Sequence, residues 1–254
     1  MKFETVRSHV EGIPYTQPRW GELLYNFIVE HKPAECLELG FAHGVASCYI
    51  AAALDEIGAG RLTAVDLLDA DWRKPSIEDL LSRAGLQRYV TVVRERTTYN
   101  WFLKKKIEEN SSSKGCEPVY DFCFIDGPKN WNVDGLAFFL VDKLLRPGGW
   151  ILFDDLYWTY GAKGGEQTDG ISHRTMGEDE LNTPHIDLVF RLLVQQHPDY
   201  SEFKIQGDWW AWAHKVSAPS KSLTYTGIRT HRTYLYRARR LLAGLLKKRP
   251  RPVK

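Results

Sequence analysis

Three aspartates and a lysine fall where strand ends would gather them. Asp126 and Lys129 lie in Phe124-Ile125-Asp126-Gly127-Pro128-Lys129, and Asp154-Asp155 closes the apolar run Trp150-Ile151-Leu152-Phe153. Each run reads as a buried strand, so a parallel sheet brings the three carboxylates to one edge. Unneutralised carboxylates a few ångströms apart repel one another, and a hard divalent cation such as Mg2+, which takes oxygen ligands and keeps waters, relieves that repulsion. Asp126, Asp154 and Asp155 are therefore expected to be metal ligands. The competing reading has Asp126 facing a ligand or a helix N-terminus while Asp154 and Asp155 cap the next turn. Lys129 is singled out only by its closeness to the three acids.

A second group precedes these residues. Cys36-Leu37-Glu38-Leu39-Gly40-Phe41-Ala42-His43-Gly44-Val45-Ala46-Ser47 ends a strand and opens a helix. Glycine there permits a tight turn and close approach of a ligand to the main chain. The spacing is GxxxG, whereas a dinucleotide pyrophosphate wants GxGxxG, so a smaller nucleoside ligand is favoured. The N–H groups at the helix start, with the Ser47 hydroxyl, suit a carboxylate. Asp66 ends the second strand, where a carboxylate can accept both ribose hydroxyls.

The elements that must position these groups follow from the alternation of short apolar runs with amphipathic stretches, the pattern of βαβ units on a mostly parallel sheet. Strands are expected at Glu35–Leu39, Arg61–Leu67, Val90–Arg94, Tyr120–Asp126 and Trp150–Asp154. Helices are expected at Val45–Leu54, Ile77–Ala84, Thr98–Asn110 and Val133–Leu145, with Pro147-Gly148-Gly149 turning the chain into the fifth strand. Gly161 to Gly177 is long for an αβ connection and is expected to be a lid. A helix from Pro184 to about His197 and strands at Phe203–Gln206 and Trp209–His214 complete the domain. Trp209, Trp210 and Trp212 are expected in its core or edge. Tyr157, Trp158 and Tyr160 either stack on a ring substrate or pack beneath the loop.

Glu38-Leu39-Gly40 with Gly44, then Ala64-Val65-Asp66, then Leu144-Leu145-Arg146-Pro147-Gly148-Gly149 resemble the ordered motifs of class I S-adenosylmethionine-dependent methyltransferases, over roughly residues 33 to 214. The resemblance implies an α/β fold with a doubly wound, mostly parallel seven-stranded sheet closed by an antiparallel hairpin. It implies S-adenosylmethionine as cofactor, held by Glu38, Gly40, Gly44, Ser47, Asp66, Thr97, Thr98 and Asp126. Gly40, Gly44 and Ser47 would face the methionine part, Asp66 the ribose, and Thr97 and Thr98 the adenine. The Asp126 to Lys129 run resembles the fourth-strand motif of the catechol and caffeoyl-coenzyme A O-methyltransferases, in which the Asp binds metal and the Lys is the proposed base. Asp154-Asp155 departs from their Asp-Asn and is more similar to the macrocin-type sugar O-methyltransferases. The implied reaction is attack of a hydroxyl oxygen on the sulfonium methyl, with Lys129 and Asp126 as the catalytic residues and Mg2+ or another divalent cation assisting. A sugar or phenolic small molecule is the implied acceptor.

Composition bounds the alternatives. The 254 residues carry 43% hydrophobic side chains, enough for a packed core, and 34 basic against 32 acidic residues give +2. Twelve of the basic residues and none of the acidic ones lie past Asp208, so the first 208 residues carry −10 and the rest +12. Domains are accordingly expected at 1–216 and 217–254, the second a basic tail whose Tyr234, Leu235, Ala238, Leu241, Leu242, Leu245 and Leu246 recur at helical spacing. Such a helix suits an anionic membrane surface, its own acidic domain or a partner subunit, including a homodimer. Cys36, Cys48, Cys116 and Cys123 lack CxxC spacing and are expected as reduced thiols of a cytoplasmic protein, peripheral to a membrane if the tail binds one. Two further readings stay open. One is a metal-independent methyltransferase acting on RNA or protein, disfavoured by the absence of a nucleic-acid module, and the other is a non-catalytic binding module tethered by the tail.

Overall fold

The computed structural model describes residues 3–163 and 175–216. Most of the expected lid, and the whole expected tail helix, lie outside the described residues. The strands are β1 (Glu35–Leu39), β2 (Arg61–Leu67), β3 (Val90–Glu95), β4 (Tyr120–Ile125), β5 (Leu145–Phe153), β6 (Tyr200–Gln206) and β7 (Trp210–Lys215). They form one sheet in the order β3-β2-β1-β4-β5-β7-β6, parallel except for β7, which runs antiparallel to both β5 and β6.

The central strands are apolar throughout because both sheet faces are covered, and successive residues serve opposite cores. Cys36, Phe122, Phe124, Leu152, Trp210 and Trp212 point to one core. Leu37, Leu39, Cys123, Ile125, Ile151, Phe153 and Ala211 point to the other. Over the first face lie α1 (Phe3–Val10), α2 (Pro18–His31), α3 (Val45–Ile57) and α4 (Ile77–Ala84). Over the second lie α5 (Tyr99–Glu109), α6 (Trp131–Leu144) and the short α8 (His185–Leu188), which continues as a π-helical segment, Val189–Val194. A five-residue α7, Glu178–Asn182, precedes α8. Among the described residues no helix is long and apolar enough to cross a membrane.

Local chemistry sets the helix boundaries. A capping box opens α4, in which the Ser76 N–H donates to Asp79 Oδ2 at 2.9 Å and the Asp79 N–H to Ser76 Oγ at 3.2 Å. Asn130 caps α6 by accepting from the Asn132 and Val133 N–H groups at 2.9 and 3.3 Å. In α2, Pro18 occupies the first turn and Trp20, Leu24 and Ile28 recur every fourth residue on the buried face.

Three differences from the sequence expectations have physical causes. β5 starts at Leu145 rather than Trp150. Tyr120 pairs with Leu145 and Phe122 with Trp150, so Pro147-Gly148-Gly149 forms a bulge within the strand instead of a turn before it. The helix expected from Pro184 to about His197 is α-helical only over its first turn and then widens to π geometry. The N-terminal pair α1 and α2 was not anticipated, although Pro18 and the fourfold spacing of Trp20, Leu24 and Ile28 signal α2.

One side chain ties three strand beginnings together. Asp121 Oδ2 accepts from the Ala34 and Glu35 N–H groups, each at 2.9 Å, and its Oδ1 takes Arg146 Nη1 at 2.7 Å. Charge-assisted bonds of this kind contribute more than neutral ones. The Asp121→Ala variant is expected to lose about 1–3 kcal/mol in urea unfolding with the denaturant slope unchanged.

Candidate active site

The parallel ladder continues one residue past each central strand, and this places the chemistry. Gly40 N–H donates to the Val65 carbonyl at 2.8 Å, Asp126 N–H to the Leu39 carbonyl at 2.8 Å and Asp154 N–H to the Ile125 carbonyl at 3.1 Å. The glycine loop, Asp126 and Asp154 therefore stand side by side at the carboxyl edge. They open onto a cavity of about 1310 Å3. That exceeds the roughly 300–1,000 Å3 of a pocket for one drug-sized ligand, so two molecules can be held together.

Asp126, Asp154 and Asp155 are brought together as expected, each offering an oxygen within 4.8 Å of the others. Lys129 lies among them with 4% exposure. Its Nζ bonds Asp126 Oδ1 and stands 3.5 Å from Asp155 Oδ2 and 4.0 Å from Asp154 Oδ2. One ammonium does not balance three half-buried carboxylates. Burial, opposed by Lys129, raises Asp126 to about 6, while burial and the neighbouring Asp126 charge raise Asp154 to about 8. For Lys129 burial acts downward, but the charges of Asp126, Asp155 and Asp154 outweigh it and hold the ammonium well above its usual range. The direction left open by the sequence is thus settled for this arrangement, in which Lys129 is a cation.

The turn that carries Lys129 is firmly held. Lys129 and Asp155 both adopt left-handed backbone, at φ 60° and 56°, a conformation that costs a non-glycine residue about 1–3 kcal/mol and concentrates at functional sites. Tyr160 OH donates to the Pro128 carbonyl at 2.7 Å. The Asn130 N–H donates to buried Asp134 at 2.5 Å, and Tyr99 OH donates to the other oxygen of that carboxylate. The Trp131 N–H donates to His185 Nδ1 at 3.1 Å, which fixes the His185 proton on Nε2, 2.9 Å from the Glu180 carbonyl. Sequence reasoning missed Tyr99, Asp134 and His185, whose roles depend on packing between α5, α6 and α8. Trp210 is likewise more than a core residue, since its indole N–H donates to Asp154 Oδ1 at 2.7 Å.

Of the residues assigned to a nucleoside cofactor, Gly40, Asp66, Thr97, Thr98 and Asp126 line the cavity. Gly40 needs its positive φ of 92°, and a Cβ there would run into the Asp126 carbonyl oxygen. Asp66 Oδ2 accepts from the Phe41 and Ala42 N–H groups at 2.9 and 2.8 Å, so the acid also shapes the loop. Thr98 Oγ1 accepts from the Asn100 N–H at 3.0 Å as the cap of α5. Glu38, Gly44 and Ser47 lie elsewhere. Gly44 packs on Ile77 at the start of α3, and Glu38 and Ser47 are wholly buried, bonded to each other behind the loop. The expectation that the Ser47 hydroxyl reaches into the cavity is corrected by that bond. His43 rests on the Pro75 carbonyl at 2.8 Å. Trp158 and Tyr160 are buried in the cavity wall, and Trp209, expected in the core or edge from sequence, is exposed and lines the cavity.

Residues 37–156 match the family model described as "Methyltransferase domain". That segment, just under half of the chain, is similar to a methyltransferase domain. No curated protein matches the chain. Among solved structures, a methyltransferase from Podospora anserina bound to SAH is similar, with 16% identity, a TM-score of 0.59 and coverage of 85% of this chain and 86% of that one. The O-methyltransferase TomG from Streptomyces achromogenes, in complex with SAM and involved in tomaymycin synthesis, shares 16% identity, a TM-score of 0.57 and coverage of 85% and 89%. An O-methyltransferase from Bacillus cereus in complex with SAH shares 21% identity, a TM-score of 0.55 and coverage of 84% and 90%. At these identities the likeness establishes the fold alone.

Behind the glycine loop the fold stores a pH-dependent cost. Burial raises Glu38 from 4.5 to about 8, and one of its oxygens has no hydrogen-bond partner. Below pH 4.5 both folded and unfolded chains hold this proton. Between pH 4.5 and 8 only the fold retains it, so stability falls as pH rises, by on the order of 1.4 kcal/mol per unit. Glu38→Gln removes this dependence. The thermal midpoint of the wild type, measured without ligand, is expected to fall relative to E38Q between pH 5 and pH 8, and parallel curves would refute the assignment.

Proposed function

We propose that the chain transfers the methyl group of S-adenosylmethionine to a hydroxyl oxygen of a small sugar or phenolic acceptor, with a divalent cation at Asp126, Asp154 and Asp155. The observation that carries this reading is the carboxylate cluster with Lys129 inside a cavity large enough for two molecules, beside the glycine loop. In the proposed arrangement Gly40, Asp66, Thr97 and Thr98 hold the nucleoside end, and the acidic floor receives the acceptor hydroxyl. Glu38 and Ser47 support the loop from behind rather than touching the cofactor.

The donor set fits a hard cation. All three groups are carboxylates, and the Lys129 ammonium stands among them as an internal cation that neutralises only one. A divalent ion bound there would lower the pKa of a neighbouring hydroxyl and orient paired oxygens. The chain's own residues do the remainder. Lys129 is the proposed base, and its base character depends on the carboxylate charges being taken up elsewhere, because those charges now keep it protonated. Asp126 orients the Lys129 Nζ, while Tyr160, Asp134 and His185 keep the turn that carries it in place. Trp158 and Tyr160 wall the acceptor half of the cavity and limit water there. The oxygen attacks the methyl carbon in line as the carbon–sulfur bond breaks, the hydroxyl proton passes to Lys129 Nζ, and S-adenosylhomocysteine leaves.

The test is nuclear magnetic resonance of products formed from methyl-13C-labelled S-adenosylmethionine with a panel of vicinal diols, sugars and catechols. A 13C methoxy signal is expected on at least one acceptor. EDTA is expected to reduce its rate by about a hundredfold or more, with added Mg2+ restoring it. A methoxy product formed equally fast in EDTA would remove the metal from the reading, and methyl transfer to nitrogen or carbon alone would remove the O-methyl assignment.

A further inference from the structure

One wall of the cavity belongs to neither the glycine loop nor the acidic floor. It is formed by Tyr15 from the segment joining α1 to α2, by Arg19 and Trp20 from the first turn of α2, and by Arg73 from the chain after β2. This wall is aromatic and cationic. The Arg19 guanidinium lies 4.8 Å over the Trp20 ring, and Arg73 lies 5.0 Å over the Tyr15 ring with Nη1 2.6 Å from the phenol oxygen. The Trp20 ring meets that of Trp210 at 4.9 Å, tilted by 38°, and the Trp210 indole N–H donates to Asp154. A chain of contacts, Asp154 to Trp210 to Trp20 to Arg19, therefore links the acidic floor to this wall.

Among the described residues three cationic side chains line the cavity, and they differ in how they are engaged. Lys129 is taken up by the aspartates and Arg73 by Tyr15, whereas Arg19 has no acidic partner among the described residues. Its stacking on Trp20 pre-organises a planar fork suited to a carboxylate or phosphate. The floor is proposed to take the hydroxyl, so a molecule with a hydroxyl at one end and an oxyanion at the other is aligned by both ends of the cavity. Building on the proposed reading of the floor, we infer that the acceptor is a cyclic hydroxylated compound bearing a carboxylate or phosphate away from the reacting hydroxyl, and that Arg19 is the residue that selects it.

Binding of two matched pairs tests this: 3,4-dihydroxybenzoate against 3,4-dihydroxybenzamide, and glucose 6-phosphate against glucose. Each is titrated calorimetrically with S-adenosylhomocysteine present. The anionic member of at least one pair is expected to bind the wild type about tenfold tighter or more, and Arg19→Gln to bring the two members within about twofold. Arg19→Lys, which keeps the charge but loses the fork, is expected to fall between. Equal affinities within both pairs in the wild type, a preference that survives R19Q, or binding of none of the four overturns the inference. Because the readout is binding, it separates from turnover. An Arg19-dependent preference without methyl transfer to any of the four supports the anion subsite and counts against the reaction, and methyl transfer without the preference does the reverse.

Discussion

The parallel register of β1, β4 and β5 is the constraint on which the site depends. Each strand is followed by one more ladder bond, so Gly40, Asp126 and Asp154 emerge at the same level of the sheet edge. Buried carboxylates so close are unfavourable unless positive charge answers them. Lys129 supplies part of it from the same turn, at the cost of left-handed backbone at Lys129 and Asp155. Burial first, and then the neighbouring Asp126 charge, still raise Asp154 to about 8.

The surrounding structure serves that edge from both faces. On one face α5, α6 and α8 lock the Lys129 turn through Tyr99, Asp134 and His185. On the other, α2 brings Trp20 against Trp210, so the N-terminal helices connect the acidic floor to the far rim of the cavity. The glycine loop is bound to the same edge, since Gly40 sits against the Asp126 carbonyl and Asp66 gathers the Phe41 and Ala42 amides. A change in any of these contacts reaches the cluster through few intermediates.

Much of this was legible in the sequence where the signal is local. Apolar runs at Arg61–Leu67 and Tyr120–Asp126 located β2 and β4 nearly to the residue, and Trp150–Asp154 the end but not the start of β5, because strands covered on both faces leave continuous hydrophobic stretches. The acidic cluster followed from parallel pairing alone. What was hidden depends on long-range packing. Thr98 is a helix cap as well as a cavity residue, Ser47 turns inward to Glu38, and Trp209 faces the cavity while its neighbour Trp210 holds Asp154. Pro147-Gly148-Gly149 signals a break correctly but cannot distinguish a turn from a bulge. The charge division of the chain remains a sequence observation, since residues 217–254 lie outside the described residues.

The central claim is that Asp126, Asp154 and Asp155 form a cation site whose unmet charge Lys129 only partly answers. Its most direct test is titration of the protein with Mn2+ in the presence of S-adenosylhomocysteine, followed by the electron paramagnetic resonance signal of the free ion. Saturable binding of one ion per chain, displaced by Mg2+ and lost in Asp126→Asn, is the predicted result. Absence of saturable binding, or an ion retained undiminished in D126N, would contradict it.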